Sequence, residues 1–401
     1  MNAGPAGAGS AGAASAGAAS AGGGSPGDSP AVEPFRLSGA DFTALARGGG
    51  GSALRVLRLA RRSRTLLMIR SIASAPEARP AYELLCEAHR ANPDAVARVL
   101  DHPSVGVWAT RTAAGRGRAG ELAFTAAAAA VRAGVPVDLG FPPAEVVELP
   151  SLGVVVGPGL RHEPLPEVAL GPAVLQVDLW AGGGVPDGLP VDTAPDLPRL
   201  REQVGAAWEL LARDHPAVAA EVAEVVAVLT PMPPPPSGTS SATVADAYGC
   251  VFLSPAPDAE AVAVTLAHEV QHSKLAALMD LFALVEPDRR ELFYAPWRED
   301  PRPAAGLLHG TYAHLGVAGF WRDRPGAAAR VEYARWRSAA LTAAETLLDS
   351  GALTPIGVRF TAEVAAVLRA WCAEPLPAAA LAEAEAEAAA HRGRWEAARS
   401  G

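Results

Sequence analysis

The chain has 401 residues, half of them apolar, and a formal charge of -9 at pH 7. That apolar content is enough to bury one large core or two smaller ones and excludes a chain disordered over most of its length. The charge, spread without a Lys/Arg block, gives neither nucleic acid nor an anionic membrane surface a footprint.

Cys86, Cys250 and Cys372 lie far apart with no CxxC pair, so neither a disulfide framework nor a cysteine zinc site is expected, and the thiols suit a cytoplasmic protein. Residues 1–33, rich in Ala, Gly and Ser and without Lys or Arg, are expected to be a flexible tail rather than a signal peptide. The most apolar later run, Leu122 to Val131, is short and mostly Ala, so no membrane span is expected.

The expected domain runs from 34 to 401 in three parts: helical over 34–135, mixed over 136–236, and helical around a metal site over 237–401. Leu54, Leu57 and Ala60, then Leu66, Leu67 and Ile69, recur at helical spacing, which predicts two helices joined by a turn at Gly48 to Gly51. Helices are predicted again at Ala81 to His89, Pro93 to Leu100 and Gly120 to Ala133, the last stopped by Gly134 and Pro136. Between Val137 and Trp180, short Val/Leu runs bounded by Gly and Pro predict a small sheet.

Helices are predicted at Leu197 to Asp214 and Ala217 to Leu229, after which PMPPPPSG stops any regular element. ATVADAYGCVFLS predicts a strand or hairpin, leading into a helix over Ala259 to Leu284 with Asp258 as its N-cap. Helices at Ala304 to Trp321, Ala327 to Leu348, Phe360 to Cys372 and Pro377 to Ala398 complete a mainly α fold with a small β element.

LAHEVQH, Leu266 to His272, carries the chemistry. Residues four apart on a helix lie about 40° apart around its axis, so His268 and His272 project side by side as two ligands for one ion. HExxH is best known in zinc peptidases, where its glutamate, here Glu269, acts as general base. The extended form of that motif fails, because Leu275 and Leu278 stand where a Gly and a third His are needed. Glu286, Glu291 and Glu299 sit in a Pro-rich, loop-like stretch rather than on a following helix.

DPRPAAGLLHGTYAHLGVAGFW offers a better third ligand in His309, with His314 as competitor; either also suits a core histidine with satisfied hydrogen bonds. Arg298 and Arg302, in PWREDPRP, suit a dicarboxylate cosubstrate such as 2-oxoglutarate, or plain pairing with Glu299, Asp300 or Asp323. Tyr248, Phe252, Tyr294, Trp297, Tyr312 and Trp321 lie near these segments; some suit a peptide groove, and all suit the core at least as well. The sheet region, Val146 to Trp180, offers an edge to which a leader peptide could add a strand.

FRLSGADFTALARGGGGS, RRSRTLLMIRSI, SGTSSATVADAYGCVFLS, LAHEVQH and PWREDPRPAAGLLHGTYAH together resemble, in order and spacing, the HExxH-type peptide-modification proteins of bacterial ribosomal-peptide gene clusters. The resemblance covers nearly the whole chain after Pro34 and is to the 2-oxoglutarate-dependent HExxH peptide β-hydroxylases, which occur alone or with radical-SAM cyclophane maturases. It implies an Fe(II) oxygenase that uses O₂ and 2-oxoglutarate to hydroxylate a β-carbon of a precursor peptide, with a radical-SAM maturase as a further partner. It implies His268 and His272 as iron ligands and His309 as the third; the cosubstrate role of Arg302, with Arg298 second, comes from chemistry.

No HxD or HxE pair occurs in the chain, so a double-stranded β-helix is not expected and the metal site falls on a helix. Glu269 is left as a fourth contact, a group orienting a ligand, or a relic of hydrolytic ancestry. A zinc metallopeptidase is the alternative reading, and a non-enzymatic accessory of a maturation complex is a third.

Overall fold

Ser38 opens the first helix: its hydroxyl accepts from Asp41 N at 3.0 Å, satisfying one of the free donors of α1 (Gly39–Ala46). The structure, a computed structural model, describes residues 35–138, 146–156, 161–171, 173–182, 184–186, 188–236, 238–287 and 290–400. The tail expected over 1–33 lies outside them. Gly48 and Gly51 take left-handed φ of 87° and 49°, so the chain turns where the glycines predict and enters α2 (Ala53–Ile72).

α3 (Arg79–Ala91), α4 (Pro93–Leu100) and α6 (Leu122–Ala133) form close to their predicted places, and Gly134 ends α6 at φ 71°. Between α4 and α6 lies α5 (Pro103–Ala113), which the sequence did not predict. Val105, Val107, Thr110 and Thr112 are poor helix formers, but Pro103 sits at the first helical position and Val105, Val107 and Ala109 are buried. Packing outweighs propensity there.

Three strands, β1 (Val146–Leu149), β2 (Gly153–Val156) and β3 (Arg161–Pro164), form an antiparallel meander. β4 (Glu167–Leu170) and β5 (Ala173–Val177) pair as neighbours, and α7 (Leu197–Asp214) and α8 (Pro216–Val225) follow. The helix predicted to reach Leu229 ends at Val225, because Val228 and Leu229 belong to β6 (Val228–Pro231), which pairs in parallel with β5. The apolar run was compatible with either element; partner strands decide it.

β7 (Ser241–Ala242) and β8 (Cys250–Leu253) complete a five-stranded sheet of order β4-β5-β6-β8-β7, larger than the small element expected. Its centre, β5-β6-β8, is parallel, and β6 and β8 are buried at every position, as strands covered on both faces must be.

β8 leads to α9 (Ala259–Leu281), where Asp258 caps by accepting from Ala261 N at 2.8 Å. The helix stops three residues short of the predicted Leu284; Phe282 is extended, and Val285 bridges to Leu353. β9 (Leu292–Phe293) and β10 (Arg302–Pro303) pair, Arg302 opposite Phe293, and so fold the PWREDPRP loop back to the start of α10 (Ala304–Asp323). α11 (Ala327–Asp349), α12 (Pro355–Cys372) and α13 (Ala378–Ser400) end the chain.

The fold is therefore mainly helical with small sheets and no closed barrel among the described residues. Leu266, Val270 and Leu278 of α9 and Leu307, Tyr312 and Leu315 of α10 lie in the main core. A Cβ on Gly316 would stand 2.8 Å from Ala267 O, so α9 and α10 approach as closely as a glycine allows.

Candidate metal centre

His268 and His272, one turn apart on α9, bring their Nε2 atoms to 3.0 Å. Two nitrogens each about 2.1 Å from one ion at a right angle lie about 3.0 Å apart, so the pair fits a shared ion. Burial lowers both imidazoles, His268 to about 4 and His272 well below its ordinary value, with His268, His309 and His314 adding to the shift at His272. Both rings are neutral at physiological pH, as ligands have to be.

α10 supplies His309 and His314, five residues apart and therefore about 140° apart around the axis. The His309 ring centroid is 5.7 Å from that of His272, and burial, then the charge of Arg302, lowers it to about 4. His314 stacks on Trp297 with centroids 4.3 Å apart, meets Trp336 at 4.6 Å, and shares a 2.8 Å hydrogen bond between its Nδ1 and Gly310 O. That is the satisfied core histidine, although its ring also stands edge-on to His268 at 5.3 Å. Among the described residues no three His, Cys, Asp or Glu side chains converge closely enough to hold one ion, so the predicted triad of His268, His272 and His309 is gathered but not closed.

A cavity of about 420 Å³ opens on these histidines. His268, His272, His309, Arg298 and Arg302 all line it, so every predicted metal and cosubstrate residue faces one space. Arg298 Nε donates to Asp300 Oδ1 at 2.8 Å and Arg302 Nη1 to Asp300 Oδ2 at 3.5 Å. The pairing foreseen as the plain alternative therefore exists, but Asp300 is half exposed and serves both guanidiniums, which weakens each ion pair. A Cβ on Gly306 would stand 3.0 Å from Arg302 Nε, so the glycine leaves room for that side chain beside the first turn of α10.

No family model matches this chain. Comparison with curated proteins finds no match either.

Glu269 is buried, with 2% of its side chain exposed, and its Oε1 accepts from Ser241 Oγ at 2.7 Å. The same oxygen is 3.9 Å from His268 Nε2, while Oε2 is buried with no hydrogen-bond partner. Burial pushes its carboxyl up to about 7, against the pull of the Ser241 and Thr243 hydroxyls. Ser241 was not singled out from the sequence, and the Ser/Thr-rich run before ATVADAYGCVFLS was the signal that could have found it.

Of the six aromatic residues weighed for a groove, only Tyr248 lines the cavity. Phe252 and Tyr312 are core residues, the Tyr312 hydroxyl donating to Leu45 O. Trp297 packs under Gly310, Tyr294 bonds His391 at 2.8 Å, and Trp321 stands edge-on to Phe320.

The histidine helix is gripped from behind. Gln271 Nε2 donates to Gly48 O at 3.1 Å, and Lys274 Nζ donates to Gly48 O at 2.7 Å and Glu221 Oε2 at 2.6 Å. The glycine turn between α1 and α2 therefore fixes the rotation of α9, and with it the direction of both histidines.

Proposed function

We propose that the chain is an Fe(II)/2-oxoglutarate-dependent oxygenase that hydroxylates a β-carbon in a peptide, His268 and His272 holding the ion with His309 as third donor. The observation that carries the reading is that Arg302 and Arg298 line the same cavity as those histidines. A dicarboxylate cosubstrate is held at its far carboxylate by a guanidinium, and two stand here beside neutral imidazoles.

When bound, the ferrous ion would supply the coupling of O₂ reduction and 2-oxoglutarate decarboxylation to C–H hydroxylation. The chain's own residues orient and exclude. Neutral imidazoles present lone pairs, Arg302 positions the cosubstrate with Arg298 beside it, and the buried Glu269, held by Ser241, keeps a carboxyl beside His268.

Glu269 also favours a second reading, a zinc metallopeptidase. A carboxylate with one unpartnered oxygen and an affinity for protons near neutrality is what a general base for hydrolysis requires. Co-expression with a candidate precursor peptide separates the two. The oxygenase reading expects a mass gain of one oxygen atom with succinate formed in step; chelator-sensitive cleavage with zinc bound would replace it.

A further inference from the structure

A second cleft, about 640 Å³ in volume, lies beyond the wall of the histidine cavity and is lined by six arginines: Arg58, Arg61, Arg62, Arg64, Arg98 and Arg132. Four project from α2 and are already matched. Arg58 pairs with Glu224 at 3.2 Å, Arg61 with Asp280, Arg62 with both oxygens of Asp101, and Arg64 with Asp246 at 3.4 Å.

Arg98 of α4 and Arg132 of α6 have no ion pair among the described residues; Arg132 bonds Ser151, its Nε to Oγ at 2.8 Å and its Nη2 to the carbonyl. Burial and then the charge of Arg98 hold the Arg132 guanidinium below its ordinary value, and Glu167, also in the lining, offsets part of this. In a chain of net charge -9, this is a local excess of positive charge.

The cleft also contains donors with nothing to bond. Arg58 Nε and the Tyr248 hydroxyl are buried without an acceptor, and Glu224 Oε1, in the same lining, is buried without a hydrogen-bond donor. Buried donors are nearly always paired, so two unpaired donors beside the arginines of one cleft offer hydrogen bonds to an incoming acceptor.

We infer that this cleft binds an acidic segment of a polypeptide, its carboxylates on Arg98 and Arg132 and its oxygens on Arg58 Nε and Tyr248 Oη. The positive charge is strung along three helices rather than converged on a point, which fits an extended chain better than a compact dianion. Val174, 53% exposed, adds an apolar contact to the lining that a polyphosphate backbone could not use. Tyr248 faces both this cleft and the histidine cavity, so a peptide anchored here abuts the wall of the site. That the segment belongs to the peptide being modified rests on the function proposed above; the binding itself does not.

Fluorescence anisotropy with labelled hexaglutamate, on the full chain without metal or 2-oxoglutarate, tests the cleft apart from the reaction. Binding is expected to weaken with added salt and to fall about tenfold in Arg98→Glu, an exposed change that leaves the fold intact, with a smaller loss in Tyr248→Phe. Absence of hexaglutamate binding, equal binding by wild type and Arg98→Glu, or displacement by citrate at concentrations as low as those of unlabelled hexaglutamate would each overturn the inference.

Discussion

His268 Nε2 and His272 Nε2 stand 3.0 Å apart on successive turns of one helix, both neutral, with Arg302 lining the cavity they face. A histidine pair on a helix is only as precisely placed as the helix, and here α9 is held by Lys274 and Gln271 on Gly48 and by the close approach of α10 at Gly316.

Metal content should follow the histidines. His268→Ala or His272→Ala is expected to lower affinity for a divalent transition ion by more than the roughly 10- to 100-fold that a supporting residue costs. Isothermal titration with Co(II) as a stable stand-in reads this. Unchanged affinity in both variants would mean the pair is not a ligand set.

Gly316→Ala places a Cβ 2.7 Å from Gln271 Cγ and 2.8 Å from Ala267 O, the latter unable to swing aside. The substitution should destabilise the fold by about 1–3 kcal/mol, as overpacking does, measured from the urea midpoint. An unchanged midpoint would show that α10 slides along α9 at no cost.

Lys274 and Glu221 form an ion pair with both side chains buried. Lys274→Met alone leaves a carboxylate without its partner and should cost about 3–5 kcal/mol, while the double change Lys274→Met with Glu221→Leu should recover much of it. Additive losses in the denaturation cycle would contradict the pairing.

Glu148 carries the stability-against-pH prediction. Burial first, then the charge of Asp178, push its carboxyl from 4.5 up to about 8. The folded chain therefore holds a proton that the unfolded chain releases between those values. This contribution to stability is full below the lower value and is lost as pH rises through the window. Glu148→Gln should flatten the decline in urea midpoint between pH 5 and 8, and equal slopes in the two proteins would contradict the assignment.

Much of the fold was legible wherever local chemistry is decisive. Asp258 before an apolar run gave the start of α9, and Gly134 and the Gly48–Gly51 turn gave breaks, because caps and positive φ are properties of a few adjacent residues. α5 and β6 were not legible, since each is decided by distant partners: Val105 and Val107 by burial, Val228 and Leu229 by pairing with β5 and β8. In the site, the i, i+4 spacing announced His268 and His272. That Arg302 faces the same cavity depends on the two-residue ladder of β9 and β10, and that Glu269 meets Ser241 depends on an edge strand of two residues. Neither ladder leaves a periodic trace in the sequence.

The most direct test is anaerobic. The protein is loaded with Fe(II) and titrated with 2-oxoglutarate while the visible spectrum is followed. The account predicts a weak charge-transfer band that saturates with cosubstrate, disappears in His272→Ala, and in Arg302→Ala needs about 10- to 100-fold more 2-oxoglutarate, the value of one charged hydrogen-bonded contact. No band at any cosubstrate concentration in a protein that binds Fe(II) stoichiometrically would contradict it.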